Sequence, residues 1–258
     1  MFTQKRRKII ILYNSLIIFL FASIVHAHCL WLNVSNYFPK PGEVVIIELG
    51  WGHRFPTDEV LKEGWLESIY VLSPKGEKLS FKKLDPTHFS FTPQIPGVYL
   101  VAAQIKPGFL TKTTEGYKLQ TKRGLRNIIT CFRYDKRAKA IIQVAKKNQG
   151  ISQKVGHPLE LIPLKAPAQL KEGDSLPLKA IFYGKPLSKA FLFATYAGFS
   201  EKKNTFAYAT MTNENGEGSI KILKKGRWLV KIRYKLPYPD KEECDEYLYG
   251  ATLTFEVR

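Results

Sequence analysis

His28 carries the most informative chemistry in the sequence, because it directly follows the segment Val25-His26-Ala27. If the chain is cut after Ala27, His28 becomes the first residue of the mature protein. Its α-amine and the Nδ1 atom of its imidazole can then chelate one metal ion together. The α-amine has a reference pKa of about 7.7–8.0, so it loses its proton at little cost near neutral pH. A second imidazole would complete a planar or T-shaped nitrogen site, which suits Cu(II) or Ni(II).

Three further histidines follow His28, namely His53, His88 and His157. His53 lies directly after a predicted strand that ends in glycine, and glycine allows a close approach, so His53 is the favoured second ligand. His88 precedes another strand and is a weaker candidate, while His157 is expected at the surface. Cys29 can add a thiolate or be an inert buried thiol. The sequence therefore predicts a metal site of His28 and His53, with His88 and Cys29 as additional candidates.

Residues 1–27 have the composition of a secretory signal peptide. Basic residues at positions 5–8 precede an apolar run over 9–25, and Ala27 occupies the position that signal peptidase reads. An uncleaved membrane anchor is the alternative, because the apolar run approaches the length of a membrane span. Both interpretations predict that the remaining chain acts outside the cytoplasmic membrane, in the periplasm.

The rest of the chain consists of short runs of β-branched and aromatic residues separated by glycine, proline and asparagine. The clearest runs are Val44–Ile47, Ser68–Leu72, Val98–Ile105, Leu176–Tyr183, Ala190–Tyr196 and Trp228–Tyr234. Asn213-Glu214-Asn215-Gly216 is a strong hairpin signal between two runs. No long helical periodicity interrupts the pattern, so we predict an all-β protein of two Ig-like β-sandwich domains in tandem.

The predicted domain boundary lies in the polar stretch 146–153. It divides the chain into residues 28–150, which hold the metal candidates, and residues 151–258, each long enough for one domain of about 100 residues. Residues 106–136 do not fit the strand rhythm. They are predicted as a basic loop, either merely solvated or used for docking, with a short helical turn near Leu125–Phe132.

The chain is strongly basic, with a formal net charge of +18. In a cytosolic protein such a charge would favour nucleic-acid binding, but an exported chain rarely meets nucleic acid. The charge therefore predicts no nucleic-acid partner and fits a membrane surface or a solvated basic face.

The three cysteines are Cys29, Cys131 and Cys244. Export would place them in an oxidising space, and an odd number leaves one outside any internal pairing. Cys131 and Cys244 both precede a predicted strand, in different halves of the chain, whereas Cys29 belongs to the metal neighbourhood. We predict a Cys131–Cys244 disulfide that joins the two halves; three free thiols are the alternative.

The sequence contains no nucleophile elbow, phosphate-binding loop or HExxH motif, and no pair of carboxylates that can be placed in one pocket. We therefore predict that the protein is not an enzyme.

Several short motifs follow one another along the chain in a characteristic order. They are His28 and Trp31, then 52–56 (GHRFP), 96–99 (PGVY), 156–164 (GHPLELIPL), 226–228 (GRW) and 251–256 (ATLTFE). This order resembles a family of periplasmic proteins described as a nickel-transport complex subunit, which accompanies energy-coupling-factor importers of nickel and cobalt. The resemblance implies an Ig-like protein that hands metal to the membrane subunits of an importer, with His28 and His53 as ligands. Cys29 beside His28 departs from the pattern of that family.

Ni²⁺ is the metal that the resemblance implies, with Cu²⁺ and Co²⁺ as alternatives, since intrinsic affinity favours copper at most nitrogen sites. Two other functions compete with metal uptake. One is an Ig-like ligand-binding or structural module without a metal. The other is a copper mono-oxygenase with an N-terminal histidine brace, although the second domain and the missing axial tyrosine motif argue against it.

Overall fold

The computed structural model describes residues 28–145 and 147–258. The predicted signal peptide, residues 1–27, and Lys146 at the predicted domain boundary lie outside the described residues. Within the described part of the chain, no helix is long and apolar enough to cross a membrane.

The described residues form eighteen strands and a single 3-10 helix, Pro167–Gln169. The strands of the first half are β1 (Cys29–Val34), β2 (Val45–Gly52), β3 (Leu66–Leu72), β4 (Lys78–Leu79), β5 (Lys82–Lys83), β6 (His88–Phe91), β7 (Gly97–Ile105), β8 (Gly108–Thr113), β9 (Gly116–Lys118) and β10 (Ile128–Val144). Those of the second half are β11 (Leu159–Pro163), β12 (Ser175–Phe182), β13 (Lys185–Pro186), β14 (Phe191–Tyr196), β15 (Tyr208–Met211), β16 (Glu217–Lys221), β17 (Gly226–Pro237) and β18 (Glu246–Val257). The prediction of an all-β fold is confirmed.

The strands form three sheets, of which the largest lies in the middle. This central sheet has the order β15-β14-β17-β18-β10-β7-β3-β4, and the β8–β9 hairpin pairs with β10. The first outer sheet has the order β1-β2-β6-β5, and the second outer sheet contains β11, β12, β13 and β16. The two halves of the chain meet in the central sheet, where β10 and β18 pair in parallel.

Alternating side chains of the central sheet face the two outer sheets, because successive residues of a strand point to opposite faces. In β7, Tyr99, Val101 and Ala103 pack in one core with β1, β2 and β6. Val98, Leu100 and Ala102 pack in another core with β11, β12 and β16. The central sheet takes strands from both sides of residue 150, whereas each outer sheet takes strands from one side. The division into two domains stays a prediction.

The basic segment 106–136 has a different structure from the one that the sequence suggested. It forms the β8–β9 hairpin and the first part of β10, which begins at Ile128, so the predicted helical turn near Leu125–Phe132 is wrong. Pairing of β10 with β8 explains the difference, since it adds the residues Ile128–Tyr134 to the strand.

The predicted disulfide is confirmed: Cys131 and Cys244 are bonded, with their Cα atoms 5.0 Å apart. Cys131 lies within β10 and not in a loop, and Cys244 lies in the turn before β18. Asp245 supports the junction, because its carboxylate accepts a hydrogen bond from the Cys131 amide at 2.7 Å and pairs with Lys122 at 2.8 Å.

Candidate metal centre

The pairing of β1 with β2 explains why His28 and His53 meet. These strands are antiparallel, and Cys29 lies opposite Gly52 in their register. His28 directly precedes Cys29 and His53 directly follows Gly52, so both histidines lie at the same end of the strand pair. Their imidazole rings have centroids 4.2 Å apart.

The loop after β2 folds back and adds a carboxylate to the two histidines. The Glu59 amide donates to the carbonyl oxygen of Trp51 at 2.9 Å, and the His53 amide donates to the Asp58 carboxylate at 2.7 Å. Gly52 permits this fold, since its φ is +131° and a Cβ there would lie 2.4 Å from an Asp58 oxygen. The loop thereby places Glu59 beside His28.

The three side chains form a compact cluster of donor atoms. One candidate ligand atom from each of His28, His53 and Glu59 lies within 4.8 Å of the others. His28 Nε2 is 2.8 Å from a Glu59 oxygen, and the His28 ring stacks on Trp51 with an interplanar angle of 9°. Two imidazoles and a carboxylate are suitable donors for a divalent transition metal.

The second half of the chain completes the surroundings of the site. The Asn204 amide donates to the His53 carbonyl at 2.9 Å, and the Asn204 side-chain oxygen lies 3.3 Å from His53 Nδ1. If Nδ1 donates to this oxygen, Nε2 of His53 keeps its lone pair for a metal, as is usual where a second group orients a histidine ligand. Lys203 donates to Glu59 at 3.1 Å.

The environment favours the ligand forms of His53 and Glu59. Burial lowers the pKa of His53 to about 4, and the neighbouring His28 adds to the effect. The imidazole of His53 is therefore neutral at physiological pH. Hydrogen bonds from Lys203 and then from His28 lower the pKa of Glu59, so its carboxylate is ionised.

The thiol of Cys29 does not join the cluster within the described part of the chain. Alternation along β1 places it beside Trp31 and Leu229, on the opposite side from His28. An Arg233 nitrogen lies 3.9 Å from the sulfur. Burial opposes ionisation, but the charges of Lys231, Arg233 and Lys136 together lower the pKa of the Cys29 thiol.

The other two histidines lie apart from the cluster. His88 begins β6, where its Nδ1 pairs with the Asp85 carboxylate at 2.8 Å. The expectation that His157 lies at the surface is wrong, since it is only 6% exposed. Burial lowers the pKa of His157 to about 3, and the charges of Arg137 and Lys139 act in the same direction.

Sequence reasoning missed Glu59, Lys203 and Asn204. Glu59 follows Asp58 after β2, and its only signal was its closeness in sequence to His53. Lys203 and Asn204 follow His53 by about 150 residues. No local pattern connects them to the site, because their position depends on how the halves join.

Comparisons with known proteins give one clear family match. The family described as a domain of unknown function (DUF4198) matches residues 25–236. No curated protein matches the sequence significantly.

Several solved structures are similar at low identity. Alpha-2-macroglobulin of Escherichia coli is 12% identical with a TM-score of 0.26; the match covers 90% of this chain and 20% of that protein, so this chain spans about a fifth of it. The D0-D1 domain of intimin is 12% identical with a TM-score of 0.23, over 88% of this chain and 97% of that one. Murine CEACAM1b is 10% identical with a TM-score of 0.22, over 90% of this chain and 99% of that one. Similarity at this level indicates nothing about function.

Proposed function

We propose the function of this chain from its own site, since it belongs to the family described as a domain of unknown function (DUF4198). The protein binds a divalent transition metal, with nickel as the favoured metal, outside the cytoplasmic membrane. It supports uptake of that metal by a membrane importer. The observation that carries the proposal is the convergence of His28 and His53, whose ring centroids lie 4.2 Å apart, with the Glu59 carboxylate 2.8 Å from His28 Nε2. The importer partner rests on the family resemblance of the sequence motifs, and the Cys131–Cys244 disulfide supports an oxidising compartment.

In the proposed arrangement, the two nitrogens of His28 have separate tasks. Nε2 is engaged with Glu59 at 2.8 Å, which leaves Nδ1 to chelate the metal together with the α-amine that cleavage after Ala27 would create. His53 supplies the third nitrogen. Glu59 then orients the His28 ring and raises its basicity, as carboxylates beside metal-bound histidines commonly do.

Three nitrogen donors suit Ni²⁺ and Cu²⁺ and also accept Co²⁺. Intrinsic affinity favours copper, so nickel as the physiological cargo depends on supply and on the importer. The family resemblance supports nickel.

The first expected result is that the mature protein begins at His28. The motive is the small residue Ala27 at the end of a basic and then apolar leader. Intact mass measurement of the protein recovered from the periplasm checks it. A mass that includes residues 1–27 would show that the chain is not cleaved. In that case His28 has no free α-amine, and the site offers at most two imidazoles and a carboxylate.

The second expected result concerns nickel affinity, measured by calorimetric titration of the mature protein. His28→Ala and His53→Ala should each weaken binding by more than the roughly 10- to 100-fold that loss of an outer-shell partner causes, whereas Glu59→Gln should fall within that range. A version with one residue added before His28 should bind as weakly as His28→Ala, because the α-amine is displaced.

His88→Ala is the matched control, because His88 is also an imidazole paired with a carboxylate but lies outside the cluster. It should bind nickel like the unaltered protein. If the extended version binds as tightly as the mature one, the α-amine is not a ligand. If no variant differs from the mature protein, the proposed metal site is wrong.

A further inference from the structure

A groove of about 390 Å³ opens beside the metal cluster. His28 and Glu59 line one end of it, and the β8–β9 hairpin with the residues that follow it lines the other. This volume falls in the range of pockets for small organic molecules, about 300–1,000 Å³, and far exceeds the space that one metal ion needs.

Aromatic and aliphatic side chains form most of the groove wall. Trp51 and Trp65 meet edge to face with centroids 5.7 Å apart, and Tyr134 lies on the neighbouring β10. Tyr117 and Leu119, at the rim, are 50% and 61% exposed. Such a wall gives a hydrated ion no favourable contact, but it suits a flat organic ring.

Two lysines adjoin this apolar wall. Lys62 is exposed at the rim, and Lys136 is buried with its nitrogen 5.8 Å from the centroid of the Trp51 ring. Burial lowers the pKa of Lys136 to about 7, so Lys62 supplies most of the positive charge of the groove. Lys136 also donates a hydrogen bond to the His28 carbonyl, so it lies directly beside the metal cluster. The negative charge of Glu59 is offset by Lys203, whose nitrogen lies 3.1 Å from a Glu59 oxygen. The groove therefore favours an anionic group on its occupant.

We propose that the groove holds an organic chelator bound to the metal, of the class of aromatic carboxylates that offer a ring nitrogen and a carboxylate oxygen. This inference rests on the proposed metal site. The α-amine and the two imidazoles leave coordination positions open at a nickel ion, and the groove adjoins that ion through His28 and Glu59. The chelator fills those positions, its ring lies against Trp51 and Trp65, and its carboxylate is within the field of Lys62.

The test compares three forms of nickel by calorimetry on the mature protein: nickel alone, nickel with one equivalent of picolinate, and nickel with one equivalent of glycinate. Picolinate and glycinate form the same five-membered chelate ring, but only picolinate carries an aromatic ring. We expect the picolinate complex to bind about tenfold or more tightly than the glycinate complex, since its ring is removed from water.

Tyr117→Ala and Leu119→Ser should each reduce this preference, because they remove apolar surface from the groove, and should leave the affinity for nickel alone unchanged. Both side chains are exposed at the rim, so neither variant should impair folding. Leu223→Ser is the matched control: Leu223 is an exposed leucine, 43% accessible, that does not line the groove. It should keep the preference for picolinate.

The outcomes separate the groove from the metal site. If nickel alone binds but the two complexes bind equally, or if both rim variants keep the full preference, the groove is not a chelator site and the metal site stands. If nickel binds in none of the three forms, the metal site and the groove inference both fail.

Discussion

Reduction of the Cys131–Cys244 disulfide should lower the free energy of unfolding by up to about 4.7 kcal/mol, the figure for a closed loop of roughly 100 residues. The two cysteines are 113 positions apart, so the bond removes much conformational freedom from the unfolded chain. Both are fully buried, and the bond joins β10 to the turn that precedes β18. It therefore ties the two halves together beside the parallel pair at the centre of the sheet.

Denaturant unfolding with and without a reductant measures this effect. The variant that carries both Cys131→Ala and Cys244→Ala should unfold at lower denaturant and should no longer respond to reductant. Cys29→Ser is the control, and it should keep the full response because Cys29 is not part of the disulfide. Identical unfolding of the oxidised and reduced protein would show that the bond does not stabilise the fold.

The disulfide also bears on the groove, because β10 continues from Cys131 to Tyr134 and Lys136, which line it. Leu110, another residue of the wall, lies on β8 and pairs with Phe132 of β10. Because the disulfide fixes the start of β10, it also fixes the positions of β10 and of its partner β8, which form two sides of the groove.

The strands were predictable from the sequence because they are short and flanked by turn residues. The run Val98–Ile105 corresponds to β7, which the structure places at Gly97–Ile105. The central sheet was not predictable, since β10 and β18 pair across more than 100 positions of sequence and no local pattern records that partnership. The length of β10 was missed for the same reason: its first residues are strand only because β8 lies beside them.

The candidate metal site was also only partly predictable from the sequence. His28 and His53 were identified from chemistry and from their places next to strands, and the β1–β2 register brings them together. Cys29 follows His28 in sequence, yet strand alternation turns its thiol away from the cluster. Glu59 depends on the loop that folds back onto Trp51, so its contribution required the structure.

Lys139→Met should destabilise the protein by about 3–5 kcal/mol, the usual cost of leaving one partner of a buried ion pair uncompensated. Lys139 on β10 donates to Glu160 on β11 at 2.8 Å, and the two side chains are only 2% and 1% exposed. Burial lowers the pKa of Lys139, while the Glu160 carboxylate opposes this effect. The same Glu160 oxygen accepts from the Val155 amide at 2.9 Å. Without the ammonium, a carboxylate would remain in the core between the central and second outer sheets.

The matched test is the double variant Lys139→Met with Glu160→Gln, studied by denaturant unfolding beside both single variants. Glutamine keeps an oxygen for the Val155 amide but carries no charge, so the double variant should recover most of the stability that Lys139→Met loses. The other Glu160 oxygen is buried and has no hydrogen-bond partner among the described residues, so the carboxylate has little besides Lys139 to compensate it. If the double variant is as unstable as the sum of the two single variants, the two charges are not energetically coupled. In that case, packing alone would hold the second outer sheet against the central sheet.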